Sequence, residues 1–289
     1  MRKTISCMLT ANAALLLAAV LPFQLAPGDV APSRPPVPAG SAGSPGVPGA
    51  PDVLAAPPGR PESPGRPVSG RGHAAVRFPV LRPGAEGTIV LAVRRRLSRL
   101  GFDEGPPGLT YGPAMRAAVW AFQKANGLPP VDEVDGPTWR ALAHPARIRP
   151  LVPSGGPTRV EIDLRRQLLT VWRNDRPELV THISTGNGEH YCEKGHCGVA
   201  VTPTGDFRAW LRTPGWTSGP LGDQFYTVYF NGQIGFHGSE KVPRHPASHG
   251  CIRIPLHNAR PIYDMIQPGD PVYVRRPGPA DERPKSRRT

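Results

Sequence analysis

The sequence predicts two structured units in series, a small all-α module of three helices and a mainly-β domain, set behind a long segment unable to build a core. Three observations carry this expectation. The chain holds 39 Pro and 33 Gly among 289 residues, too many for one compact globule of that length. Apolar residues recur at three- and four-residue spacing between positions 89 and 142, the helical period. From Arg159 onward the alternation switches to period two, the strand period.

The N-terminal part justifies its assignment by composition. Arg2 and Lys3 precede an uncharged run from Met8 to Ala26, the pattern of an export signal. Residues 1–26 are therefore expected to be a signal peptide or an N-terminal anchor. A retained anchor stays open because the run approaches a membrane-spanning length, and Leu25-Ala26 followed by Pro27 gives no clean cleavage site. Residues 27–72 contain 13 prolines in 46 positions; Pro removes backbone donors and Gly costs entropy, so 27–77 read as a disordered spacer. Both readings of the N-terminus place the remainder outside the cytoplasm, secreted or wall-associated.

The helical module is expected over 78–146. Ile89, Val90, Val93, Leu97 and Leu100 lie on one helical face, and Gly101 follows as a C-cap. A second helix opens at Gly112-Pro113, with Pro at its first turn, and ends at Asn126-Gly127. A third covers Asp135 to Leu142.

The β domain is expected over 157–276, with a basic disordered tail over 277–289. Strands are read at 159–164, 168–172, 179–183, 205–210, 226–230, 233–236 and 271–274, with Asn174-Asp175 as a hairpin turn signal and a single helix over 258–266.

Charge and cysteine usage narrow the chemistry. The net charge is +13, but Lys and Arg are scattered among acids, without the basic patch and interleaved aromatics of a nucleic-acid binder. No GxxxxGK or GxGxxG stretch supports a nucleotide cofactor. Four cysteines are present, at 7, 192, 197 and 251. Cys7 belongs to the signal, so one pair and one odd thiol is the simplest partition for an exported chain. Gly195 allows a turn that brings Cys192 and Cys197 together, which leaves Cys251 free.

A free thiol beside histidines suggests nucleophilic catalysis. At its reference pKa a thiol is only a few per cent thiolate at neutral pH, and a nearby imidazole takes its proton or stabilises the thiolate. The segments Phe236-His237-Gly238-Ser239 and Ala247-Ser248-His249-Gly250-Cys251-Ile252-Arg253 supply both groups. Gly250 permits a tight turn on which N–H groups converge as an oxyanion hole. Zinc is the rival use of His237, His249 and Cys251, or of His190, Cys192, His196 and Cys197. Neither set has the core spacing of a zinc site, and no metal or other cofactor is expected.

Both units resemble known families. The stretch Leu81-Arg-Pro-Gly84 through Gly101, continued by Tyr111-Gly112-Pro113, Ala118-Val119, Phe122-Gln123 and Gly127-Leu128, resembles a type-1 peptidoglycan-binding domain. It departs from that pattern before Tyr111, where Gly108-Leu109-Thr110 stand in place of Asp-Gly. The segment His237-Gly238-Ser239 to Arg253, with Ser184-Thr185-Gly186 and Thr202-Pro203-Thr204-Gly205 upstream, resembles the signature of L,D-transpeptidases of the YkuD type. That resemblance implies Cys251 as nucleophile, His237 as general base and acid, and the Gly238 carbonyl as the group orienting His237. It implies His249 and Gly250 as the oxyanion-hole loop, and Arg253, Ser248 and Ser239 as substrate contacts.

The implied activity is formation of 3–3 peptidoglycan cross-links through a thioester. Trimming of stem peptides by an L,D-carboxypeptidase, or wall binding without catalysis, are the alternatives. Implied partners are peptidoglycan stem peptides and glycan, with carbapenem-type β-lactams as inhibitors of a monomeric protein. The insert Gly188 to Gly198, with its cysteine pair, departs from the family pattern.

Overall fold

The computed structural model describes residues 78–102 and 105–278. The expected signal or anchor at 1–26, the spacer at 27–77 and all but the first two residues of the tail lie outside the described residues.

Three helices open the described chain: α1 (Thr88–Arg99), α2 (Pro113–Ala125) and α3 (Gly136–Ala143). Local chemistry sets their ends. Gly101, at φ +84°, closes α1: its N–H donates to the Ser98 carbonyl, and the Phe102 N–H donates to the Leu97 carbonyl. This is the paired bonding of a Schellman cap, which needs a residue able to adopt positive φ. Pro113 starts α2, whose Asn126 C-cap is followed by Gly127 at φ +70°. Asp135, the expected first residue of α3, lies outside it as its N-cap, so the helix starts one residue later than expected, with Asp135 Oδ1 accepting from the Thr138 N–H at 3.0 Å.

Eleven strands and one helix follow: β1 (Thr158–Asp163), β2 (Leu168–Arg173), β3 (Arg176–His182), β4 (His190–Glu193), β5 (His196–Val199), β6 (Gly205–Arg208), β7 (Leu211–Gly219), β8 (Gly222–Asn231), β9 (Ile234–Ser239), β10 (Ile252–Pro255), α4 (Leu256–Met265) and β11 (Pro271–Arg275). They form a five-stranded sheet in the order β3-β2-β1-β11-β6, a four-stranded sheet in the order β10-β9-β8-β7, and a separate β4-β5 hairpin. Val160, Ile162, Val171 and Val272 from the first sheet share one buried core with Val228, Phe236, Ile252 and Ile254 from the second and with Ala259 and Ile262 of α4.

Three features differ from the sequence expectation. Alternation in β1 predicts one wet face, yet Val160 through Asp163 are all buried, and so is Arg159. The polar side chains find partners: Arg159 donates to Glu161 Oε1 at 2.7 Å and to Asp175 Oδ1 at 2.8 Å, and Asp163 Oδ1 accepts from the Arg165 and Arg166 N–H groups, while Arg159 Nη2 is buried without a hydrogen-bond partner among the described residues. The strands β7 and β10 and the β4-β5 pairing are absent from the expected set. Finally, Leu168 of β2 and Val180 of β3 belong to the core of the helical module, beside Leu97, Val119 and Phe122. The Val180 N–H also donates to the Gly101 carbonyl at 2.8 Å. The two units therefore share buried surface.

One connection determines where chemistry can occur. β9 and β10 are parallel neighbours, with Ile252 level with Phe236 and Arg253 level with His237. Parallel neighbours require a crossover of about a dozen residues or more. Here the crossover is residues 240–251, between Ser239 and Ile252, and it ends on Ser248-His249-Gly250-Cys251.

Candidate active site

The parallel register assembles the candidate residues. Arg253 lies level with His237, and one step before the paired segment Cys251 comes level with Gly235. Residues two apart on a strand share a face, so Cys251, His237 and Arg253 project from the same side of the four-stranded sheet. All three line one cavity of about 1030 Å³. The half-buried Cys251 thiol reaches the Gln233 carbonyl at 3.5 Å.

His237 is buried, and its Nδ1 lies 3.0 Å from the Gly238 carbonyl. A carbonyl only accepts, so Nδ1 carries the proton and Nε2 holds the lone pair. Burial pushes the His237 pKa down to about 4. Burial likewise pushes the Cys251 thiol up, opposed by a backbone hydrogen bond from Gly235 and by the Arg253 charge. Both groups rest neutral at pH 7. Gly238 has no room for a side chain: a Cβ there would lie 2.7 Å from the Ala259 Cβ. The residue whose carbonyl holds His237 is thus packed directly against α4.

The loop before Cys251 is fixed from several directions. The Ser248 hydroxyl accepts from the Gly250 N–H at 3.1 Å and donates to the Cys251 carbonyl. Ser248 is buried and spends its hydroxyl on the loop itself rather than presenting it as a substrate contact. The Gly250 N–H is likewise taken, so Gly250 contributes its backbone turn at φ +138°, with its carbonyl accepting from Thr202 Oγ1 at 2.6 Å. A Cβ at Gly250 would meet the Val201 carbonyl at 3.0 Å. The Ser184-Thr185-Gly186 segment runs alongside: the Ala247 and Ser248 N–H groups donate to the Thr185 carbonyl, and Ser184 exchanges two backbone hydrogen bonds with Arg253. Ser239 ends β9 and bonds within the crossover, to the Lys241 N–H and carbonyl at 3.3 Å.

Comparison with known proteins decides the family. Residues 157–274 match the L,D-transpeptidase catalytic domain family (YkuD), and residues 86–142 match the PG_binding_1 peptidoglycan binding domain family. The chain is 36% identical to the L,D-transpeptidase (residues 123–326) of Xylanimonas cellulosilytica, covering 70% of this chain and 98% of that one at a TM-score of 0.64. The chain belongs to the L,D-transpeptidase family. A stretch of 65 residues of the chain is also similar to part of the localization factor PodJL of Caulobacter vibrioides, at 38% identity. That match spans 22% of this chain and only 7% of the curated relative.

Within this L,D-transpeptidase domain, Cys251, His237, Arg253, Ser239, Ser248 and His249 all border the cavity. Cys192 and Cys197 face each other across β4-β5 and form a disulfide, and Tyr191, His196 and Val199 of that hairpin line the cavity. Cys192 and Cys197 of the second rival zinc set are thus spent on each other, and among the described residues no group of three or more His, Cys, Asp or Glu is arranged to hold a metal ion. Sequence reasoning missed several wall residues. Tyr229 of β8 borders the cavity, its hydroxyl donating to Gln224 Oε1 at 3.0 Å. Burial and then the neighbouring Cys251 sulfur push its phenol pKa up. Trp216, on the β7-β8 hairpin, faces the cavity from another side and is half exposed. Gln167 supports the loop from behind, through hydrogen bonds with Thr185. None of these belongs to a local motif.

Proposed function

We propose that this chain is a cysteine transpeptidase of the cell wall, acting outside the cytoplasm and forming 3–3 cross-links. The observation that carries this reading is the His237 tautomer. With Nδ1–H held by the Gly238 carbonyl, Nε2 is left as a base on the face shared with Cys251.

The resting pair is neutral, so the proton moves during attack rather than before it. The Cys251 Sγ attacks the carbonyl of the third residue of a stem tetrapeptide, and His237 Nε2 takes the thiol proton. The C–N bond to the terminal D-Ala breaks as His237 returns that proton to the leaving amine, and a thioester remains. The side-chain amine of a neighbouring stem then attacks the thioester carbonyl, gives a proton to His237, and releases the thiol. Water in place of the amine would give carboxypeptidase activity. The His249 and Cys251 N–H groups, not taken up within the loop as those of Ala247, Ser248 and Gly250 are, serve as main-chain donors to the developing oxyanion. Arg253, level with His237, is placed to bind a stem carboxylate. The PG_binding_1 match supports a glycan-holding role for the helical module.

The test is intact mass after incubation with a carbapenem, beside Cys251→Ala. A single covalent adduct that the variant lacks is the expected result. No adduct on folded protein would overturn the cysteine mechanism. A donor and acceptor muropeptide assay then separates cross-linking from hydrolysis.

A further inference from the structure

The β4-β5 hairpin contributes no residue to the shared core and pairs with neither main sheet. Such two-stranded ribbons are marginal on their own in water. This one is reinforced twice. Lys194 and Gly195 form its turn with positive φ, +47° and +79°, the geometry that matches strand twist in a two-residue hairpin. Cys192 and Cys197, directly opposed in the register, are bonded one step behind that turn, a constraint on the unfolded chain.

What the reinforced ribbon holds is His249. The Nε2–H of that imidazole donates to Glu193 Oε1 at 3.0 Å. The Tyr191 ring packs edge-on against the same imidazole, with centroids 4.7 Å apart. Gly198 leaves room for the Tyr191 ring: a Cβ there would lie 3.0 Å from the tyrosine hydroxyl. The imidazole is thus fixed by a carboxylate and a ring from one short hairpin, two residues before Cys251. Glu193 also acts electrostatically on Arg253, so the same carboxylate faces two of the charged or polar groups around the thiol.

We propose that Glu193 is a positioning residue for the acylation step, and that the Cys192–Cys197 bond keeps it in place. Glu193 acts through His249, whose orientation fixes the backbone of the segment that delivers Cys251. This rests on the reading of Cys251 as nucleophile. The hairpin is then a working part of the site rather than a surface addition, and opening its disulfide lowers activity without touching the core.

The experiment is two-step acylation kinetics with imipenem on the full chain, which separates initial binding from the limiting acylation rate. Glu193→Gln is expected to lower the limiting rate about tenfold, the scale of one charge-assisted hydrogen bond, with initial binding within about twofold. Glu193→Asp should restore part of the rate. Cys192→Ser/Cys197→Ser should show a similar loss. Combining it with Glu193→Gln should cost little more than either alone, because both act through one contact. A Glu193→Gln rate equal to or above wild type, a loss confined to initial binding, or losses that multiply in the combined variant would each overturn the proposal. If wild type itself forms no Cys251 adduct, the reading of the site fails instead.

Discussion

Two buried histidines, His237 on β9 and His182 at the end of β3, carry nearly the same electrostatic burden and do different work. Burial pushes His237 to about 4 and His182 to about 3, the latter helped by Lys124. Their hydrogen bonds are mirror images. His237 spends Nδ1–H on the Gly238 carbonyl, and its Nε2 has no hydrogen-bond partner among the described residues. His182 spends Nε2–H on the Val242 carbonyl at 3.1 Å, and its Nδ1 accepts from Lys124 Nζ at 2.8 Å. The ring of Trp120 packs edge-on against it. A depressed pKa is common to both and so identifies neither as a catalytic group. A lone pair left unclaimed beside a cavity distinguishes His237. His182 is a joint between the helical module and the crossover loop, since Lys124 of α2 also reaches the Gln167 and Arg244 carbonyls at 3.4 Å.

The largest expected difference is in chemistry. His237→Gln should lower the acylation rate by about a thousandfold, the range for loss of a general base, while His182→Gln should leave it within about tenfold and lower the melting temperature. Equal losses in stopped-flow acylation would erase the distinction drawn here.

The next effect is on pH. A base is active when neutral, so the acid limb of the acylation rate should fall near His237's value of about 4 rather than at the ordinary histidine value of 6.5. Stability moves the same way: the unfolded chain takes up protons below 6.5 that the buried rings refuse, so stability falls as pH drops through that window. The profile is therefore read over the range in which circular dichroism shows folded protein. An acid limb at 6.5 on folded protein would place the essential ionisation elsewhere.

The smallest effect sharpens the structural side. Burial, with Arg244 adding repulsion, lowers Lys124 from 10.5 to about 7. Between those values the unfolded chain binds the extra proton, so wild-type stability should rise with pH from about 7 to 10. Lys124→Met should flatten that rise in thermal melts at pH 7 and 9.5. A variant whose melting temperature climbs as steeply as wild type would show that Lys124 does not titrate in the joint.

These joints mark where sequence reading stops. Pro113, Gly101 and Asn126-Gly127 announce helix ends because caps are local chemistry. Asn174-Asp175, with both φ values positive, announces a hairpin for the same reason. The segment from His237 to Arg253 is legible because its residue types sit at short spacing. β7 was not, because it is an exposed edge strand whose register shifts between Thr213 and Trp216. β10 is four residues of buried parallel strand, too short to show a period. Periodicity marks Leu168 and Val180 as buried without saying that a helix of another module covers them. Glu193 and His249 are 56 residues apart, and no pattern along the chain joins them.

The crossover between β9 and β10 has a consequence for how such a cleft can be altered. Twelve residues is close to the minimum for a parallel return, so this connection has no slack. A deletion within 240–251 would pull Arg253 off its level with His237, and an insertion would have to bulge past a loop already tied to Thr185 and Thr202. Redesign of what the cleft accepts is therefore confined to its rims. The β4-β5 and β7-β8 hairpins can lengthen, shorten or change sequence without any change in the distance the chain must travel between His237 and Cys251.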